Sequence, residues 1–132
     1  MLGEGPIRTI PEDKQQGTRV LIVEDEPLVA LALEDLLIDA GCKVVGIAGT
    51  LEKALALISN AVFDVAFVDA NLAGVSASPA ASALTARGIP FIVLSGYAME
   101  HLPAEFLHAH FINKPYRPAQ LFDALRETLC NQ

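Results

Sequence analysis

Basic residues are scarce in this chain: nine lysines and arginines stand against sixteen aspartates and glutamates in 132 residues, a formal net charge of −7. Nucleic-acid affinity rests on clustered Lys and Arg, and here they are scattered singly, as at Lys43, Lys53 and Arg87. Nucleic acid is therefore excluded as a partner. Cysteine is as sparse: Cys42 and Cys130 have no CxxC or Cys/His spacing, which argues against a disulfide scaffold and leaves two partly buried thiols. No apolar run approaches the ~20 residues that a membrane span needs. The first eighteen residues also lack a signal peptide's apolar stretch and carry Glu4, Glu12 and Asp13 where a basic region would lie. From these absences the chain is expected in the cytoplasm, away from membranes.

Apolar residues, by contrast, are plentiful: 52% are hydrophobic and only 19% charged, ample material for one domain with its own core. Residues 1–18, with Gly3, Gly5, Pro6 and Pro11 among polar neighbours, read as a flexible leader, and residues 19–132 as the folded domain. From Arg19 strand-like and helix-like segments alternate. The unbroken aliphatic run Val20–Val23 is the mark of a strand buried on both faces. Pro27 suits a first helical turn, and the helix over 28–40 stops at Gly41. Further strands are expected at 44–48, 63–68, 90–94 and 111–113. Further helices are expected at 51–59 with Thr50 as N-cap, at 77–87 capped by Ser76 or Ser78, at 99–109 with Pro103 near its start, and at 118–129. Five such repeats imply a parallel sheet with helices on both sides.

In a parallel sheet the carboxyl ends of the strands meet along one edge, so residues distant in sequence can share a pocket there. Glu24 and Asp25 follow the first strand, Asp69 ends the third, Ser95 follows the fourth, and Lys114 follows the fifth. Three carboxylates suit a hard divalent cation such as Mg²⁺, which takes oxygen ligands and keeps several waters, and the backbone carbonyl of Asn71 is placed to add a ligand. An aspartate can attack phosphorus to give an acyl phosphate, provided a metal, an ammonium such as Lys114 and a hydroxyl such as Ser95 neutralise the phosphoryl oxygens.

Val-Leu-Ile-Val-Glu-Asp-Glu-Pro at 20–27, Asp69, Ser95 and Asn-Lys-Pro-Tyr at 113–116, in this order at the expected strand ends, resemble the receiver domain of bacterial two-component response regulators. The resemblance spans about Arg19 to Cys130. It implies a flavodoxin-like (βα)₅ doubly wound α/β fold with strand order 2-1-3-4-5. It also implies Glu24 and Asp25 as the acidic metal pair, Asp69 as phosphoacceptor, Ser95 as switch hydroxyl, Lys114 as the phosphate-contacting base and Mg²⁺ as cofactor. The implied phosphodonor is a histidine kinase or histidine phosphotransfer protein, and family members release the phosphate by hydrolysis. The stretches 69–76 and 90–97 are similar to those of a receiver subgroup of alphaproteobacterial signalling. With the chain ending soon after the last helix, the expected output is contact with a downstream protein, or service as a phosphate sink.

Other residues stay open between two roles. Phe111 falls where the family carries its switch aromatic, yet a core role fits it equally; Tyr97 shields the phosphoryl site or rests on the surface. His101, His108 and His110 lack a carboxylate at ligand spacing. The first helix is apolar around much of its circumference, which points either to a kinase or homodimer contact or to cover by the leader. A phosphatase of the haloacid-dehalogenase type would need a second aspartate two residues after Asp69, where this chain has Asn71. Substrate turnover is thus not expected.

Overall fold

Five short strands pair into one parallel sheet, and the residues alternating along its apolar central runs supply the cores on its two sides. The computed structural model describes residues 16–97 and 101–130. The strands are β1 (Arg19–Val23), β2 (Lys43–Ala48), β3 (Val65–Asp69), the two-residue pair β4 (Asn71–Leu72) and β5 (Val75–Ser76), then β6 (Phe91–Ser95) and β7 (His110–Asn113). The helices are α1 (Pro27–Asp39), α2 (Leu51–Asn60), α3 (Ser78–Ala86) and α4 (Pro118–Cys130). The main sheet runs β2-β1-β3-β6-β7. Counting its five strands alone, that is the expected order 2-1-3-4-5. All of its pairings are parallel, for example Ile22 opposite Phe67 and Ser95 opposite Asn113.

Val20, Ile22, Phe67 and Leu94 face one side, where they meet Leu33 and Leu37 of α1 and Leu121 and Leu125 of α4. Leu21, Val23, Val68 and Val93 face the other, against Ile58 of α2 and Leu84 of α3. Both faces of the central strands are therefore dry, which explains their unbroken apolar sequence. Two-sided cover also leaves the carboxyl edge of the sheet as the open place for a site. No helix among the described residues is long and apolar enough to cross a membrane.

Local signals act as their chemistry dictates. Pro27 sits in the first turn of α1, and Gly41, at φ 94°, lets the Cys42 N–H turn back to the Leu37 carbonyl at 3.0 Å and close its end. Thr50 caps α2 through its side chain, which accepts from the Lys53 N–H at 3.1 Å. At α3 neither expected serine is the cap: Ala77 holds that position, while Ser76 Oγ accepts from the Ser78 N–H at 3.1 Å. The domain's hydrogen bonds begin before Arg19, since the Gly17 N–H reaches the Gly41 carbonyl and Thr18 accepts from Lys43, both at 2.8 Å. The leader expected over 1–18 otherwise lies outside the described residues.

The helix expected over 99–109 is the main departure. Residues 98–100 lie outside the described residues, and over 101–109 the chain has no α-helix, only 3₁₀ geometry at His101 and in the turn Ala104–Phe106. Pro103 is the cause: it lacks an N–H and sits at ψ 154°, an extended conformation, so a helix can begin only after it. Too few residues then remain before β7 starts at His110. Phe106 nevertheless reaches the core at 2% exposure and does part of the packing a full helix would do. His110 lies 3.5 Å from Glu127 of α4, while the three histidines as a group form no metal cluster among the described residues.

Candidate functional site: an acidic cleft bridged by a lysine

Strand direction alone carries Glu24, Asp69, Ser95 and Lys114 to one edge, because β1, β3, β6 and β7 lie side by side and all end there. Glu24 is 2% exposed and Asp69 7%, so the floor of the cleft is acidic and dry. Glu24, Asp25 and Asp69 each place one carboxylate oxygen within 4.8 Å of the others. They are the one group of three potential metal-ligating side chains among the described residues. Such a set of hard oxygens, open to solvent on one side, fits a cation that keeps part of its water shell. The Lys114 ammonium donates to Glu24 Oε1 at 3.0 Å and to Asp69 Oδ2 at 2.7 Å. One cation thus already joins two of the three anions.

The electrostatics follow from that arrangement. Burial raises the Glu24 carboxyl above its ordinary range; the Lys114 hydrogen bond pulls it down and the neighbouring Asp69 charge pushes it up again. Burial by itself would lower the Lys114 ammonium, but its hydrogen bonds to Asp69 and Glu24 outweigh that and hold it above the ordinary value. The lysine therefore stays charged. Tyr116, just past the cis Lys114–Pro115 peptide bond, has its phenol raised by burial.

A buried carboxyl of raised pKa has a consequence for stability. Because folded Glu24 holds its proton more tightly than the unfolded chain does, its burial costs stability above the folded pKa, and the cost fades as pH falls through that value toward the ordinary 4.5. Glu24→Gln is expected to raise the urea midpoint at neutral pH, with the gain over the wild type shrinking as the pH approaches the ordinary value. Paired urea titrations across pH check this; a gain that grew on acidification would contradict it.

The remaining residues complete a cleft of about 280 Å³ lined by Asp25, Glu26, Asp69, Asn71, Ser95 and Lys114, with Ala73, Gly96 and Tyr97 at its margins. Asp69 Oδ1 accepts from the Asn71 N–H at 3.0 Å. Ser95 is buried, and its Oγ accepts from the Tyr97 N–H at 2.9 Å, while its carbonyl accepts from the Lys114 N–H at 2.8 Å. The hydroxyl is thus held near the cleft but turned into its own loop. Tyr97 borders the cleft but is 61% exposed, and Asn113 reaches the Tyr97 carbonyl at 3.4 Å. Phe111 stays apart: it is half-buried on β7 opposite Val93 and packs on the α2–α3 side of the core.

Residues not singled out in the sequence also take part. Glu26 lines the cleft and donates its N–H to Glu24 Oε2 at 3.2 Å, and the acidic run 24–26 was the available signal. The β4–β5 hairpin, which follows directly on Asp69, is the other; Ala73-Gly74 is not a favoured turn pair, so the sequence carried no signal for it.

Comparisons with known proteins agree with this fold. The profile of the response regulator receiver domain matches residues 20–126. The phyllosphere-induced regulator PhyR of Methylorubrum extorquens is 32% identical over 119 residues, covering 85% of this chain and 43% of that protein. The solved structure of PhyR from Bartonella quintana, described as an anti-anti-sigma factor, superposes with a TM-score of 0.80 at 28% identity, over 92% of this chain and 52% of that one. The solution structure of SdrG from Sphingomonas melonis Fr1 is 36% identical, with a TM-score of 0.75 over 86% of this chain and 97% of that one. The chain spans about half the length of the PhyR proteins it matches. With the family's profile matched over most of the chain and a curated relative at 32% identity, this protein belongs to the response regulator receiver domain family.

Proposed function

We propose that the chain takes a phosphoryl group on Asp69 from a histidine kinase or histidine phosphotransfer protein and passes the change on to a protein partner. The observation that carries this reading is the lysine held between Glu24 and Asp69, with Asp25 beside them. An Asp69 oxygen forms the new O–P bond while the donor's P–N bond breaks, and the departing imidazole keeps the electron pair. Lys114 offsets charge on the phosphoryl oxygens, and Glu24, Asp25 and Asp69, with the Asn71 carbonyl, are the groups that would hold Mg²⁺. When bound, the metal supplies the charge neutralisation that lets an anionic donor approach three carboxylates. Release of Ser95 Oγ from the Tyr97 amide toward the new phosphate couples the site to the loop after β6, with Tyr97 and Phe111 as the rings that respond. Hydrolysis of the acyl phosphate, without another substrate, resets the domain.

The test uses acetyl phosphate as donor. Intact mass spectrometry is expected to find one added phosphoryl group in the presence of Mg²⁺ and none once EDTA removes the metal. Equal labelling with and without EDTA would overturn the metal's role.

The acidic surface and scattered basic residues favour a protein, and no nucleic acid, as output partner, and the anti-anti-sigma description of the Bartonella relative is of that kind. We place this exchange in the cytoplasm, where histidine kinases present their phosphorylated domain. A role as phosphate sink would leave the same site chemistry without an output contact. For the donor, the surface of choice is α1, where Leu28, Leu31 and Ile38 are 82%, 50% and 52% exposed along one helical stripe. Leu31→Glu is expected to slow transfer from the cognate kinase roughly tenfold, the usual weight of one apolar anchor. Labelling by acetyl phosphate should stay unchanged. Equal kinase transfer in the variant would move the docking surface elsewhere, and a concentration-dependent mass in solution would assign the stripe to a homodimer.

A further inference from the structure

The hairpin that follows Asp69 is short and locally disfavoured. Its ladder consists of Asn71 opposite Ser76 and Leu72 opposite Val75, and the connecting residues Ala73 and Gly74 both have positive φ, 53° and 90°. A two-residue turn of that hand suits hairpin twist, but it favours Asn-Gly or Gly-Gly, and an alanine there is under steric strain. Two ties offset this. Leu72 is 3% exposed and roots the hairpin in the core, and the Asn71 side-chain oxygen accepts from the Gly74 N–H at 2.7 Å, closing the turn from within. The backbone N–H of the same Asn71 donates to Asp69 Oδ1 at 3.0 Å, while Lys114 holds Oδ2 at 2.7 Å. One asparagine thus touches the turn with its side chain and the carboxylate with its main chain.

We propose that Asn71 is a positioning residue for the reacting carboxylate: by closing the β4–β5 turn, its side chain keeps its own amide on Asp69 Oδ1 and fixes the orientation in which Asp69 meets phosphorus. This rests on the reading of Asp69 as phosphoacceptor and adds an uncharged device at the cleft's edge, anchored in the adjoining turn. Without the turn closure, a two-pair hairpin with an exposed tip opens readily, and Asp69 keeps one of its two restraints. Orientation lost in this way lowers the rate, because only the correctly aimed fraction of carboxylates attacks. The overall fold depends little on it, since the main sheet lies elsewhere and Leu72 is held in the core by its own burial.

Three proteins labelled by acetyl phosphate with saturating Mg²⁺ decide the matter: wild type, Asn71→Ala, and the double variant Asn71→Ala with Ala73→Asn. The single variant removes the turn's acceptor, and the rate at saturating donor is expected to fall about two- to tenfold, the effect of one lost hydrogen bond. The donor concentration for half-maximal rate should not move. The double variant restores an Asn-Gly turn without restoring any group at position 71, and recovery of at least half the rate is expected. Exchange of the position 71 amide with solvent, read by NMR in the absence of donor and metal, should quicken in the single variant and slow again in the double one. A single variant with wild-type rate and protection would overturn the proposal. So would a slow double variant with a re-formed turn, since Asn71 would then act on the phosphoryl group directly. A wild-type protein that takes no phosphate on Asp69 would instead overturn the reading of the site, and this inference with it.

Discussion

A protein carrying Asp69→Asn is expected to take up no phosphoryl group under conditions that label the wild-type chain fully. The amide keeps the shape of the side chain and can still accept from the Asn71 N–H, so the hairpin and the sheet edge stay in place. What disappears is the nucleophile, because an amide oxygen does not form an acyl phosphate. The charge of the acidic group falls as well, so the variant is expected to bind Mg²⁺ more weakly, readable by calorimetry. Residual labelling of the variant would mean that another residue accepts phosphate.

The second large effect concerns Lys114. Its ammonium lies against Glu24, whose side chain is 1% exposed, and against Asp69, whose side chain is 11% exposed. Removing one partner of a buried ion pair leaves the other desolvated and unbalanced, which costs about 3–5 kcal/mol. Lys114→Ala is therefore expected to lower the denaturation midpoint of the metal-free protein steeply, with Mg²⁺ recovering part of the loss by standing in as the cation. Labelling by acetyl phosphate should fall about 10²–10³-fold even in the metal-bound protein, the usual effect of deleting one charge-stabilising donor. Adding Glu24→Gln should restore stability without restoring the rate, because it removes the unbalanced charge and not the missing donor. A double variant that regained the rate would assign Lys114 a structural role alone.

Much of this architecture was legible in the sequence because the central strands are buried twice. Runs such as Val20–Val23 and Phe91–Leu94 have no polar residue to spare, and their spacing by helical segments dictates a parallel order. Direction then brings Glu24, Asp69, Ser95 and Lys114 together with no further information. Less legible were features decided by single backbone positions. Residues 101–109 have a helix-like composition, but the extended ψ of Pro103 interrupts them and no α-helix forms there. The β4–β5 hairpin has two pairs and an alanine at positive φ, and neither propensity nor periodicity signals so short a ladder. In the cleft, residue types were readable and pairings were not. Nothing in the sequence says that Lys114 bridges two carboxylates, or that the Ser95 hydroxyl is taken up by the Tyr97 amide.

The most direct measurement is chemical mapping of the phosphorylated residue. Borohydride reduces an acyl phosphate on aspartate to homoserine, and peptide mass spectrometry of the protein labelled by acetyl phosphate and Mg²⁺ then reports where the phosphate sat. The result expected is homoserine at position 69 and at no other. Homoserine at position 25 or 64, or a labelled chain in which Asp69 stays unchanged, would contradict the account.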